Sequence, residues 1–143
     1  MKITEIIRAK GDKVVTIRSD KSVSDLLALL AEHQIGAVVV SDDDGDTVGG
    51  IVSERDIVRH LHTGGADILN GPVSSIMTRE VFTCTHELQR ADLEHTMTER
   101  RIRHVPIVEE GRLRAIVSIG DVVKHRISDL QSERDQLVGY INQ

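Results

Sequence analysis

Two pairs of residues carry the most chemistry in this chain by type and spacing: Ser53 with Asp56, and Ser118 with Asp121. In each pair a hydroxyl stands three residues before a carboxylate, where an aliphatic run gives way to a helical pattern. The first stretch is Gly50-Ile51-Val52-Ser53-Glu54-Arg55-Asp56, and Ala115-Ile116-Val117-Ser118-Ile119-Gly120-Asp121 returns 65 residues later. A helix start leaves its first backbone N–H groups without intrahelical partners and carries positive dipole character. Such a junction has two uses: the Ser and Asp cap the helix reciprocally, or the N–H groups and the hydroxyl hold an anionic ligand. Capping alone does not require that both copies follow an aliphatic strand with a further Val-rich strand upstream.

Other reactive residue types are not arranged for catalysis. Cys84, the single cysteine, has no internal disulfide partner, and its strand-like setting reads as a small buried side chain. His60 and His62 stand two apart on a helix, so they do not share a face as metal ligands would. Asp42, Asp43 and Asp44 invite a calcium reading, but the EF-hand pattern fails: counted from Asp42, the closing twelfth position is Ser53 rather than Glu. They read instead as an exposed hairpin turn with Gly45. No catalytic residue and no metal ligand is expected, and the aspartates of the two motifs suit hydroxyl acceptors better than an acid and base pair.

The elements that must position these groups are aliphatic. Hydrophobic residues make up 39% of the 143 and charged residues 29%, with one Phe, one Tyr and no Trp, so Ile, Val, Leu and Ala build the core. The net charge of -5, with no long basic run and no interleaved aromatics, lacks the footprint of a nucleic-acid binder. No apolar stretch approaches the ~20 residues that cross a bilayer, and the start, Met1-Lys2-Ile3-Thr4-Glu5, lacks the apolar core of a signal peptide. Neither nucleic acid nor membrane is expected as a partner, and a cytoplasmic location is.

In chain order, Ile3, Ile6 and Ile7 predict a short lead-in helix over Ile3 to Arg8, broken at Ala9-Lys10-Gly11-Asp12. Val14 to Ile17 predicts a strand, and Ser19, Asp20 and Ser22 offer caps for a helix whose buried face is Val23, Leu26, Leu27, Leu29 and Leu30. Gly36 suits the end of that helix, Ala37 to Val40 a buried strand, and Val48 to Val52 the returning strand. The Gly-containing stretch from Thr63 to Pro72 is a linking loop and the one internal boundary, giving halves 1–70 and 71–143. Beyond it Val73, Ile76 and Met77 answer Ile3, Ile6 and Ile7, and Val81 to Cys84 answers Val14 to Ile17 at an offset of 67. Leu93 and Met97 answer Leu26 and Leu30, and Ile102 to Ile107 answers Ile35 to Val40, so the chain is an internal duplication. A half of ~60 residues buries too little surface to stand alone, so two halves packed sheet against sheet share a core, with the two junctions facing clefts between them.

The order β-α-β-β-α, the Ile35-Gly36-Ala37-Val38-Val39-Val40 strand and the doubled Gly-aliphatic-x-Ser-x-x-Asp motif resemble the cystathionine-β-synthase (CBS) domain, over almost the whole chain. The resemblance implies an α/β (α+β) fold of two CBS repeats in a pseudo-two-fold Bateman module, standing alone and not an enzyme. It implies regulation by an adenine-containing ligand: AMP, ADP, ATP, NAD or S-adenosylmethionine. Carried over, Asp56 and Asp121 take ribose hydroxyls and Ser53 and Ser118 take phosphate. The adenine lies near Ala37-Val38 and His104-Val105, and Thr16, Thr83 and Pro106 complete the set. Arg55, Arg103 and His104 are further phosphate candidates, against the alternative that the arginines face solvent or pair with nearby Glu. Gly120 at the place of Arg55, and Ala115 at the place of Gly50, make the second site different, with the alanine hindering close ligand approach.

Past Asp121, the residues Val123, Ile127, Leu130, Leu137 and Ile141 form a stripe, interrupted by Arg134, on an amphipathic C-terminal helix. It either folds back on the module or packs on a second subunit, and the resemblance implies a homodimer. The reading is a nucleotide-sensing regulatory module acting on its own assembly or a regulated protein partner, the alternative being a dimeric scaffold or inhibitory subunit whose clefts stay empty.

Overall fold

The computed structural model describes residues 2–11 and 13–142. Asp12 of the expected break, Met1 and Gln143 lie outside the described residues. The elements run α1 (Ile3–Lys10), β1 (Thr16–Ile17), α2 (Val23–His33), β2 (Ala37–Val40), β3 (Gly50–Ser53), α3 (Glu54–Gly64), α4 (Arg90–Arg100), β4 (His104–Glu109), β5 (Arg112–Ser118) and α5 (Ile119–Ile141). Short 3₁₀ turns occupy Ala66–Asn70 and Val73–Ser75, so the expected linking loop is partly helical. In the first repeat β1 runs parallel to β2, which pairs antiparallel with β3; in the second β4 pairs antiparallel with β5.

The two repeats differ where Val81 to Cys84 was expected to form a strand. Only Cys84 bridges to Ile107, its N–H donating to Pro106 O at 3.2 Å and its carbonyl accepting from Val108 N–H at 2.9 Å. The first repeat pairs Thr16 with Val39 and Ile17 with Val40. Pro106 stands where Val39 stands, and a proline nitrogen has no hydrogen to donate, which shortens the ladder.

The helices begin and end for local reasons. Ser22 caps α2 and exchanges hydrogen bonds with Asp25, as expected. The end of α2 is not at Gly36: Gln34 takes the left-handed conformation with φ 54°, and Arg101 does the same after α4 with φ 55°. Gly36 instead makes room, since a Cβ there would lie 3.3 Å from Glu54 Oε1.

The core is not one shared layer but two clusters that exchange segments. Leu26, Leu30, Val38 and Val52 pack with Val73 and Ile76 from the start of the second repeat. Leu93, Met97, Val105 and Val117 pack with Ile3 and Ile6 of α1. Each lead-in is therefore buried against the other repeat, and each such Ile or Val contributes about 1.5–3 kcal/mol. Matching bridges mark the exchange: Lys2 pairs with Gln89 and Ser22 with Pro72.

Of α5, only Val122 is buried. An Arg90–Glu94–Arg126 cluster ties its first half to α4, and Val123, Ile127, Leu130, Leu137 and Ile141 are all exposed, Leu137 at 64% and Ile141 at 76%. The first half of α5 thus packs on its own module, through Val122 and the tie to α4, whereas residues 131–142 are exposed to solvent.

Candidate functional site

Both Ser-x-x-Asp motifs close as capping boxes. Asp56 Oδ2 accepts from Ser53 N–H at 2.8 Å and from Ser53 Oγ at 3.1 Å, while Ser53 Oγ accepts from Asp56 N–H at 3.4 Å. At the second junction Asp121 Oδ2 accepts from Ser118 N–H at 2.9 Å, and Asp121 N–H donates to Ser118 Oγ at 3.1 Å. Capping and ligand binding are compatible at the first box, because Asp56 Oδ1 takes no hydrogen bond from the described residues.

The pseudo-symmetry extends to the strands beside the boxes. Glu54 N–H donates to Gly36 O at 2.9 Å, and Ile119 N–H to Arg103 O at 2.8 Å. These bonds draw each helix start against the upstream strand of its own repeat. One cavity of about 410 Å³ then takes its walls from both junctions, a size that suits a small-molecule ligand.

Seven of the residues singled out in the sequence line that cavity. Ser53, Arg55 and Asp56 come from the first box, Ala37 from β2, Arg103 from the approach to β4, His104 from the first position of β4, and Ser118 from the second box. Five do not. Val38 is fully buried in the first core cluster, Pro106 is buried in β4, Thr16 lies on β1 beside the Gly45 turn, and Thr83 is exposed. Asp121, the fifth, has a different partner: Lys10 Nζ donates to its Oδ2 at 2.7 Å and to Ile116 O at 2.7 Å. Lys10 belongs to the last turn of α1, which runs two residues past the expected end at Arg8 and stops at Gly11.

The electrostatics follow this arrangement. Burial works against ionisation of Asp121, but the hydrogen bonds from Lys10 and from Ser118 N–H outweigh it and hold the carboxyl below the usual range. Burial pushes the His104 imidazole down, and the Lys10 ammonium adds to the effect. Arg55 and Arg103 make no ion pair with Glu among the described residues, and both are exposed to solvent where they line the cavity, as the other half of the alternative had it. Burial likewise pushes the Cys84 thiol up to about 11, so it is no thiolate nucleophile at neutral pH.

Sequence reasoning missed several wall residues. Arg59 was legible, since it sits four residues after Arg55 on the same helix face. Arg101, Thr78 and Glu80 had no local signal, because the left-handed end of α4 and the lead-in exchange bring them there. Phe82, the single phenylalanine, also lines the cavity, and the Arg100 guanidinium sits 4.7 Å from its ring centroid. Gly50 serves no ligand approach. A Cβ there would lie 2.9 Å from Thr78 O and 3.0 Å from Met77 Sδ, so the glycine admits the segment that Ile51 bridges. Among the described residues no group of His, Cys, Asp and Glu side chains is placed to hold a metal ion.

The CBS-domain family model matches twice, over residues 4–63 and 73–128. The chain belongs to the CBS-domain family. A crystal structure of a CBS-domain-containing protein, ATU1752 of Agrobacterium tumefaciens, superposes with a TM-score of 0.84 at 44% identity, covering 88% of this chain and 99% of that one. The mitochondrial CBS-domain-containing protein CBSX3 of Arabidopsis thaliana is 31% identical over 146 residues, 97% of this chain and 71% of the relative. The CBS domain pair of protein MJ0100, solved with 5′-methylthioadenosine and S-adenosyl-L-methionine, shares the fold at a TM-score of 0.79 and 22% identity, covering 90% of this chain and 98% of that one. Tandem CBS pairs generally act as non-catalytic regulatory modules. No helix among the described residues is long and apolar enough to cross a membrane.

Proposed function

We propose that this CBS pair, built from repeats 1–70 and 71–143, binds an adenine nucleotide in the cavity over Ser53 and Asp56 and reports its occupancy without catalysing a reaction. The observation that carries the reading is Asp56 Oδ1, which takes no hydrogen bond from the described residues, in a cavity that also holds Ser53, Ser118 and arginines without an ion-pair partner among the described residues. A carboxylate oxygen accepts from vicinal ribose hydroxyls, while Ser53 and guanidinium groups donate to phosphate. Ile51, Val81, Ile102 and Ile119 offer apolar wall to the base, with Phe82. An adenosine-type ligand in a neighbouring CBS pair is consistent with this assignment.

In this reading the two motifs are unequal. Asp56 is available, whereas Asp121 is held by Lys10, so one nucleotide binds per chain. Ligand shifts the arrangement of the repeats only by its differential affinity for two states. The exposed stripe of α5 favours a second copy of the chain or a regulated partner as the element that reads this shift. A cytoplasmic setting belongs to the same reading.

Calorimetric titration with AMP tests the assignment. Asp56→Asn keeps an acceptor for Ser53 N–H but removes the charge facing the hydroxyls, and is expected to weaken binding about tenfold or more while leaving the melting temperature nearly unchanged. Equal affinity in the variant would sink the role of Asp56. No binding of any adenine nucleotide by the wild-type protein would sink the function and leave the scaffold reading.

A further inference from the structure

We propose that α5 pairs antiparallel with α5 of a second copy of this chain, about a two-fold axis level with Ser132. The CBS-domain match ends at residue 128 and α5 runs on to Ile141, so the centre of this contact lies outside the family's repeat. The contact is independent of what the cavity binds.

Val123, Ile127, Leu130, Arg134, Leu137 and Ile141 alternate spacings of four and three, the seam of a two-stranded coiled coil. The apolar members are 45–76% exposed in the single chain. The module occupies a different face of α5. Val122 is buried, Arg126 meets Glu94, and Asp129 lies 3.8 Å from Arg90. Each of these stands one residue before a seam residue, about 100° around the helix, so docking of α5 on its own module leaves the seam open. Residues 131–142 are all exposed, and an isolated helical stretch of that length with Gly139 inside it is marginal in water. A second helix laid on the seam supplies the burial that the single chain lacks.

Arg134 decides the occupant and its direction, because a lone polar residue in a seam specifies how two helices pair. In a parallel pair Arg134 would face Arg134 of the second copy, two like charges in one layer between leucines. Reversed about Ser132, Arg134 falls level with Leu130, Ile127 with Leu137 and Val123 with Ile141, so an antiparallel copy fills every layer. Arg134 then lays its aliphatic stem on Leu130 of the second copy, and Gln131 beside that leucine offers an amide oxygen to the guanidinium. Glu133 meets its own copy only at the opposite rim, where water screens the repulsion. The stripe is thus complementary to itself, as a two-fold contact between identical chains requires.

The test uses the full chain. Sedimentation equilibrium is expected to show self-association of wild type. Leu130→Arg and Leu130→Glu remove the same exposed leucine, but the first adds like charge opposite Arg134 of the second copy and the second adds a partner for it. The dissociation constant should be about tenfold or more higher for Leu130→Arg than for Leu130→Glu. Direction is read from disulfides. In the antiparallel pair, Ile127→Cys and Leu137→Cys each place a thiol about 15 Å along the axis from the same thiol of the second copy, beyond disulfide reach, whereas the two positions share a layer with each other. Oxidation should therefore link the chains only when the two variants are mixed. Both variants carry Cys84→Ser, so no native thiol takes part. A monomeric wild type, equal constants for the two Leu130 variants, linkage of either cysteine variant alone, or no linkage in the mixture would overturn the pairing. Each of those results would leave the nucleotide reading standing.

Discussion

Replacing Lys10 by Met keeps most of the aliphatic stem and removes the ammonium that holds Asp121. The pair is partly solvated, with side chains 36% and 26% exposed. A charge-assisted hydrogen bond contributes about 1.5–3 kcal/mol when shielded, and an exposed ion pair about 0–1 kcal/mol, so about 1 kcal/mol is the reasonable figure here. A ligand using Asp121 must first displace Lys10, and that cost weakens the second site about fivefold. Lys10→Met should therefore melt about 3 °C lower than wild type. It should also show a second, weaker binding event with AMP in calorimetry, while wild type stays at one nucleotide per chain. The pH dependence supplies a further check. Asp121 has a lowered folded pKa, so its contribution is present above the unfolded value of 3.8 and is lost as pH falls through the folded value. The gap between wild type and Lys10→Met in denaturant melts should thus be full at pH 7 and close below pH 3.8. A variant that melts with wild type at pH 7 and binds AMP with unchanged stoichiometry would refute the idea that Lys10 occupies Asp121.

Two further outcomes are expected. Gly50→Ala drives a Cβ to 2.9 Å from the Thr78 carbonyl, a backbone atom that cannot swing aside, and should cost about 1–3 kcal/mol by chemical denaturation, whereas Gly120→Ala, whose nearest neighbour is Ser118 Oγ at 3.6 Å, should be neutral or slightly stabilising. Truncation after Leu130 removes, among the described residues, only the exposed 131–142 and should leave the melting temperature nearly unchanged, yet shift the sedimentation coefficient toward a smaller assembly; an unchanged assembly state would show that the exposed part of α5 is not the contact.

The helices and their starts were legible because their determinants are local. Ser22, Ser53 and Ser118 each find a carboxylate three residues on, and that spacing closes a capping box whatever the rest of the chain does. Val23, Leu26 and Leu30, and the counterparts Leu93 and Met97, proved buried because helical periodicity places them on one face, whereas Leu27, expected on that face, is 40% exposed because it lies about 100° around the helix from Leu26. The strand expected over Val81 to Cys84 failed for a reason present in the sequence but readable only with its partner known: the proline opposite, Pro106, cannot donate. Gly36 was misassigned as a helix end because glycine has two uses, left-handed turns and close approach, and only the position of Glu54 separates them.

By itself, the sequence determined the duplication, the capped strand-to-helix junctions and the family, since these rest on residue types at short, repeated spacings. Tertiary structure alone decided that α1 packs on the second repeat and the Val73 segment on the first, because aliphatic residues carry no label for which core they join. It also decided that Lys10 meets Asp121 across 111 residues, and that Arg55, Arg101 and Arg103 gather around one cavity. Electrostatic and apolar contacts depend on distance in space, and no local pattern encodes the distance between residues so far apart in the chain.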